Sequence, residues 1–248
     1  MKIIVFDLDE TLGFFSQFGI FWELLLQQNL KLTHKDFSQL LDLYPEYLRP
    51  NIISILNFLK HKKMSQCCNK IYLYTNNQGP LSWANDIILY LEDKITHNLF
   101  DKIIPAYKIG SKIIEPLRTS HDKSYDDLIR CINCQTEHKI CFIDDAQHSK
   151  MVHDSVYYIN VKPYMHMLSS EEIIRRFVNS RHRVLDHIDK THLFSELKRY
   201  SYSEKDANEY IIDAILSKQI MIHLQEFLNS KVKVKMKVKG KKNETKEK

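Results

Sequence analysis

Lys2-Ile3-Ile4-Val5-Phe6-Asp7-Leu8-Asp9-Glu10-Thr11-Leu12 is a short apolar, β-rich run that breaks into an acidic cluster. Unbroken apolarity without alternation is the pattern of a strand buried on both faces of a parallel sheet. Such sheets bind ligands beyond the carboxyl ends of their strands, so acids placed straight after the run carry chemical meaning. Two other runs repeat the arrangement. Ile71-Tyr72-Leu73-Tyr74-Thr75 leads into the polar turn Asn76-Asn77-Gln78-Gly79, and Lys139–Ile143 leads into Asp144-Asp145. Phe100–Lys108 and Val156–Ile159 complete the predicted strands.

Helical periodicity fills the intervals. Residues 16–43 read as helical, with Phe18, Phe21, Trp22, Leu25 and Leu26 at helical spacing and Thr33 as a cap for a second helix. Pro50 opens a helix with Ile52, Ile53, Leu56 and Leu59 or Phe58 on its apolar face, and Pro80 begins another that runs to about Asp93. Gly110-Ser111 marks a turn that can join a hairpin. Ser120 or Asp122 is expected to cap a helix through Arg130. After residue 168 the pattern is helical only, from Ser169-Ser170-Glu171-Glu172 to a long stretch over Ser203–Asn229. The order predicts an α/β fold: a parallel sheet with helices on both faces and a helical C-terminal extension.

Composition narrows the classes. The chain of 248 residues is 44% hydrophobic and 27% charged, with five Gly and six Pro, which excludes wholesale disorder and collagen-like repeats. No apolar run approaches the roughly 18–20 residues of a membrane span, and Asp7 and Asp9 come too early for a secretory signal. Five cysteines are expected to be free thiols in a reducing, intracellular compartment. Residues 231–248 hold nine Lys and two Glu, a net +7, so the other 230 residues carry −2 of the chain's +5. This Lys-rich tail is read as disordered, and as a contact for nucleic acid or an acidic protein or as a localisation signal.

The chemistry lies at the three strand ends. Carboxylates repel one another, and their gathering calls for a cation; a hard, oxygen-preferring ion such as Mg²⁺ also binds phosphate. Each piece alone has a plainer reading as a turn or helix cap. All three following β-rich runs in order is the more telling fact. Cys131-x-x-Cys134 has no second pair at zinc spacing, and His148, His153, His182, His187 and His192 form no compact motif.

Phe6-Asp7-Leu8-Asp9-Glu10-Thr11-Leu12 resembles motif I of the haloacid dehalogenase (HAD) superfamily, Tyr74-Thr75-Asn76-Asn77 its motif II and Ile143-Asp144-Asp145 its motif IV. Glu10 within Asp-Leu-Asp-Glu-Thr-Leu, together with Arg49-Pro50, is similar to the FCP/SCP (NLI-interacting-factor-like) branch, which dephosphorylates the C-terminal domain of RNA polymerase II. The whole also resembles uncharacterised HAD proteins of large DNA viruses. The resemblance spans residues 1 to about 165 and leaves the last third without a counterpart. It implies a HAD-like (Rossmannoid) catalytic domain over 1–168, with 13–49 as a small helical cap insertion, a helical extension over 169–230, and the tail.

The resemblance also implies roles. Asp7 is the nucleophile that forms an aspartyl-phosphate, and Asp9 is the general acid and base. Mg²⁺ is held by an Asp7 oxygen, the Asp9 carbonyl and a motif IV carboxylate, Asp145 with Asp144 beside it. Thr75, with backbone N–H groups near Asn76, binds the phosphate, and Thr11 supports the motif I loop. Lys123, 21 residues before Asp144, fits the motif III spacing, with Lys112 and Lys108 as rivals and His121 as a further site-lining residue. The implied activity is a Mg²⁺-dependent phosphatase acting on a phosphoprotein, in the cytoplasm or nucleus of a cell, including a virus-infected one. A nucleotide or nucleic-acid-end phosphatase is the catalytic alternative, and a HAD-scaffold binding module with little catalysis is the alternative from another class.

Overall fold

The structure is a computed structural model that describes residues 1–28, 30–200, 202 and 205–230. Residues 231–248, the sequence's Lys-rich tail, lie outside the described residues, as does Ser203. The chain starts with β1 (Lys2–Phe6) and passes through α1 (Ser16–Leu26), α2 (His34–Leu41) and α3 (Ile52–Met64) to β2 (Lys70–Tyr74). Next come α4 (Leu81–Ile95), β3 (Lys102–Ile104) and a small hairpin, β4 (Lys108–Ile109) with β5 (Lys112–Ile113). Then follow α5 (Tyr125–Ile132), β6 (Lys139–Asp144), β7 (Val156–Asn160), α6 (Ser170–Asn179), α7 (Lys190–Leu197) and α8 (Ala207–Asn229).

The five-stranded sheet has the order β3-β2-β1-β6-β7 and is parallel throughout, a Rossmann-like arrangement. β1 is central because its Ile3, Ile4 and Val5 are fully buried and need neighbours on every side. Its Phe6 is level with Leu73 of β2 and Ile143 of β6. That register brings Asp7, Thr75 and Asp144 out at the same end of the sheet.

Side chains alternate across the sheet. Ile4, Phe6, Ile71, Leu73, Cys141 and Ile143 join one large core with the buried faces of α1–α4 and α6–α8. Ile3, Val5, Tyr72, Tyr74, Ile140 and Phe142 form a smaller core closed by Leu128 and Cys131 of α5 and by Met151. Both faces are covered by helices, but unequally.

Residues 13–49 pack into the larger core. Phe14, Phe15, Phe18, Phe21 and Trp22 are buried, and Phe18 meets Phe37 edge-on at 5.2 Å between ring centroids. Phe177, Leu193, Leu224 and Phe227 of the last three helices belong to the same core. Lys2 Nζ donates to the carbonyls of Phe227, Leu228 and Ser230 at 3.0, 2.5 and 2.7 Å, fastening the end of α8 to the amino end of β1.

The two helices expected within 16–43 form as α1 and α2, the second capped by Thr33 as its spacing indicated: the Thr33 hydroxyl accepts from Asp36 N–H while Asp36 Oδ2 accepts from Thr33 N–H. Other boundaries differ from the sequence reading. The strand expected to reach Lys108 ends at Ile104, since Pro105 has no N–H to continue a ladder. Neither Ser120 nor Asp122 caps α5; Ser124 does, its hydroxyl accepting from Asp127 N–H. Lys123 therefore precedes the helix. Among the described residues no helix is long and apolar enough to cross a membrane.

Candidate active site

The site starts in the turn that follows β1. Asp7 N–H donates to the Ile143 carbonyl at 2.9 Å, which carries the sheet one residue past Phe6. The chain then tightens: Glu10 N–H reaches Gly13 O at 2.7 Å and Leu12 N–H reaches Leu8 O at 2.9 Å. Glu10 takes a left-handed φ of 60°. Gly13 is required here, because a Cβ would overlap the Tyr47 carbonyl and the Phe15 ring. Buried Arg49 braces the turn, donating from Nε to Thr11 O at 2.6 Å and from Nη2 to Glu10 O and Lys162 O at 2.5 and 2.9 Å.

Lys123 is fully buried between two acids. Its ammonium donates to Asp7 Oδ1 and, at 2.7 Å, to Asp144 Oδ2. Asp144 Oδ1 accepts from Ala146 N–H at 2.9 Å and lies 3.3 Å from His148 Nε2. Thr11 joins the turn after β1 to the turn after β6: its hydroxyl donates to Asp145 Oδ1 at 3.0 Å and accepts from Asp145 N–H at 3.1 Å. Carboxylate oxygens of Asp7, Asp144 and Asp145 lie within 4.8 Å of one another, so these three side chains could hold a metal ion.

On the β2 side, Asn77 Nδ2 donates to Asp9 Oδ2 at 2.7 Å. Thr75 Oγ1 accepts from Asn77 N–H at 2.9 Å, which leaves the hydroxyl proton of Thr75 to donate elsewhere. Arg118, buried beneath this turn, donates to Thr75 O at 3.0 Å and Asn76 Oδ1 at 2.6 Å.

Burial dominates the electrostatics. It pushes the Asp7 carboxyl up to about 7, against the pull of Lys123. Burial likewise raises Asp9, against its hydrogen bond from Asn77, and Asp145, against that from Thr11. Asp144 resists the same burial, because His148 and Lys123 hold it below the ordinary carboxyl value. Lys123 stays above the usual lysine value, its two carboxylate partners outweighing its desolvation.

Asp7, Asp9, Thr75, Asn76, Lys123, Asp144 and Asp145 all line one cavity of about 290 Å³. Of the three lysines weighed from the sequence, Lys123 is there, while Lys108 and Lys112 sit in the hairpin. His121 is not among the lining residues; its carbonyl accepts from Arg118 and its ring meets Tyr107 edge-on. Asn77 and His148 also line the cavity and went unassigned in the sequence. Asn77 shares the turn after β2 with Thr75 and Asn76, and His148 follows Asp144 by four residues, so proximity was the available signal. For buried Arg118 there was none.

A second groove of about 570 Å³ adjoins the cavity and shares Asp9 and Asn77 with it. Ile20, Trp22 and Leu26 of α1 and Pro80 and Trp83 form its apolar walls. Among the described residues its charged lining groups are Asp9 and Glu23, with no Lys or Arg.

The comparisons with known proteins add no relative: no family model matches the chain, and no match is found among the curated proteins or the solved structures.

Proposed function

We propose that this chain is a HAD-type phosphatase that hydrolyses a phosphate monoester through an aspartyl-phosphate on Asp7, with Mg²⁺ as its metal. One observation carries the reading: Asp7, Asp9, Thr75, Lys123, Asp144 and Asp145 converge from separate segments on a single cavity at the carboxyl ends of the strands. Three close carboxylates make an all-oxygen donor set, which fits a hard divalent cation. Asp7, Asp145 and the Asp9 carbonyl would hold it. Both oxygens of Asp144 are already engaged by Lys123 and by Ala146 N–H, which supports Asp145 as the motif IV ligand and Asp144 as the holder of Lys123. When bound, Mg²⁺ offsets the phosphate charge and so lets a carboxylate approach phosphorus.

The chain's own groups perform the rest. An Asp7 oxygen attacks phosphorus and the ester oxygen leaves with the proton of Asp9. Burial supports that role by keeping Asp9 more readily protonated than an ordinary aspartate. Asp9 then takes a proton from water, which attacks the aspartyl-phosphate, releases phosphate and restores the Asp7 carboxylate. Lys123 and the Thr75 hydroxyl meet the charge that develops on the phosphoryl oxygens.

The adjoining groove supports a phosphoprotein over a nucleotide or nucleic-acid end. Its apolar walls and acidic groups favour peptide side chains and repel a polyanionic leaving group. The tail's net +7 supplies a separate, salt-sensitive contact for nucleic acid or an acidic protein. The test is release of p-nitrophenol from p-nitrophenyl phosphate by wild type and Asp7→Asn, each with and without Mg²⁺. Metal-dependent release by wild type alone is expected. Equal release by folded Asp7→Asn would remove Asp7 as nucleophile.

A further inference from the structure

Arg118 is 2% exposed and does not line the site cavity, yet its guanidinium grips both segments that do. Nη1 donates to Thr75 O at 3.0 Å and Pro105 O at 2.8 Å. Nη2 donates to Asn76 Oδ1 at 2.6 Å and to His121 O, two residues before Lys123, at 3.0 Å. The guanidinium lies over the Tyr74 ring, 4.6 Å from its centroid. All four of these hydrogen bonds go to carbonyl oxygens, and Nε is buried without a partner among the described residues. A buried cation answered by carbonyl dipoles is an expensive way to fill space, and an apolar side chain of similar volume would pack as well. The rigid, forked donor set is what an apolar residue or a lysine lacks.

We propose that Arg118 is a positioning residue that locks the phosphate-binding turn Thr75–Asn76 to the backbone leading to Lys123, so that both address one phosphoryl group. The proposal rests on the phosphatase reading. Two consequences follow from the bonds. The carbonyl of Thr75 is held by Arg118, which fixes the backbone at the end of β2 from which the Thr75 side chain, itself held by Asn77 N–H, addresses the site. Asn76 Oδ1 is committed to Arg118, so the NH₂ end of that amide faces away from it as a donor.

The test compares full-length wild type, Arg118→Lys, Asn76→Ala and the double variant on p-nitrophenyl phosphate with Mg²⁺, with thermal unfolding recorded for each. A lysine has one head for four acceptors and must release one segment. The expected result is cooperative unfolding with kcat lower by about 10- to 100-fold, the scale of a displaced catalytic group. Asn76→Ala should cost kcat in the wild-type background and little more in Arg118→Lys, a coupling that a merely structural role would not produce. Arg118→Gln replaces the lysine variant if the latter does not unfold cooperatively. Wild-type turnover in the folded Arg118 variant, or fully additive losses, would overturn the proposal and leave the phosphatase reading standing. No metal-dependent release by wild type would overturn both.

Discussion

Lys123 shows how one side chain can make an acidic site affordable. Asp7 and Asp144 are both buried, and two buried carboxylates cannot remain ionised side by side without a cation. The ammonium donates to both. Removing one member of a buried ion pair leaves its partner uncompensated, at a typical cost of about 3–5 kcal/mol. Lys123→Met is therefore expected to lower unfolding stability by about 3 kcal/mol in metal-free urea titrations at pH 8. The loss should be smaller at pH 5. Asp7, raised to about 7 by burial, then carries a proton, and the repulsion from Asp144 is relieved. An equal loss at both pH values would mean that packing, not charge, accounts for the effect.

At the scale of elements, the pairing of α2 with the segment before α7 depends on Asp36. It is buried on α2 and paired with Arg183, and its oxygens also take part in the cap with Thr33. Burial works against its charge, but Arg183 and Thr33 outweigh it and hold the carboxyl down to about 2. A carboxyl depressed below its unfolded value of about 3.9 contributes stability that is present above that pH and lost as pH falls toward 2. Arg183 is 56% exposed, so solvent screening keeps that contribution small. Asp36→Asn should accordingly flatten the decline in urea midpoint between pH 4 and pH 2. An unchanged slope in the variant would assign the acid sensitivity to other groups.

At the scale of the whole molecule, the last three helices share the core of the first half of the chain. Phe177, Leu193, Leu224 and Phe227 lie in one cluster with Ile4 and Phe6, so a chain ending at residue 168 would expose apolar sheet face. It is expected to aggregate or elute as large species in size-exclusion chromatography. A chain ending at residue 230 should behave differently. Lys2 holds Ser230 at the amino end of β1, and the site lies at the carboxyl end, about 15 Å away by strand rise. Its turnover of p-nitrophenyl phosphate should equal that of the full chain; a marked loss would bring residues 231–248 into the catalytic step.

What could be read from the sequence alone were the features with a short physical range. Apolar runs ending in Asp7, Thr75 and Asp144 marked parallel strands and the end at which ligands gather, because burial on two faces and exit at one end leave a local pattern. Thr33 was legible as a cap and Ser169-Ser170-Glu171-Glu172 as a helix start, since a cap acts within three residues of itself. The order β3-β2-β1-β6-β7 and the grip of Arg49 and Arg118 on the site turns were decided by tertiary structure. Those bonds join residues dozens of positions apart, and no spacing rule announces a guanidinium that binds backbone carbonyls. Spacing from Asp144 already put Lys123 ahead of Lys108 and Lys112, but its place between two carboxylates was decided by packing, which alone determines where an ammonium ends.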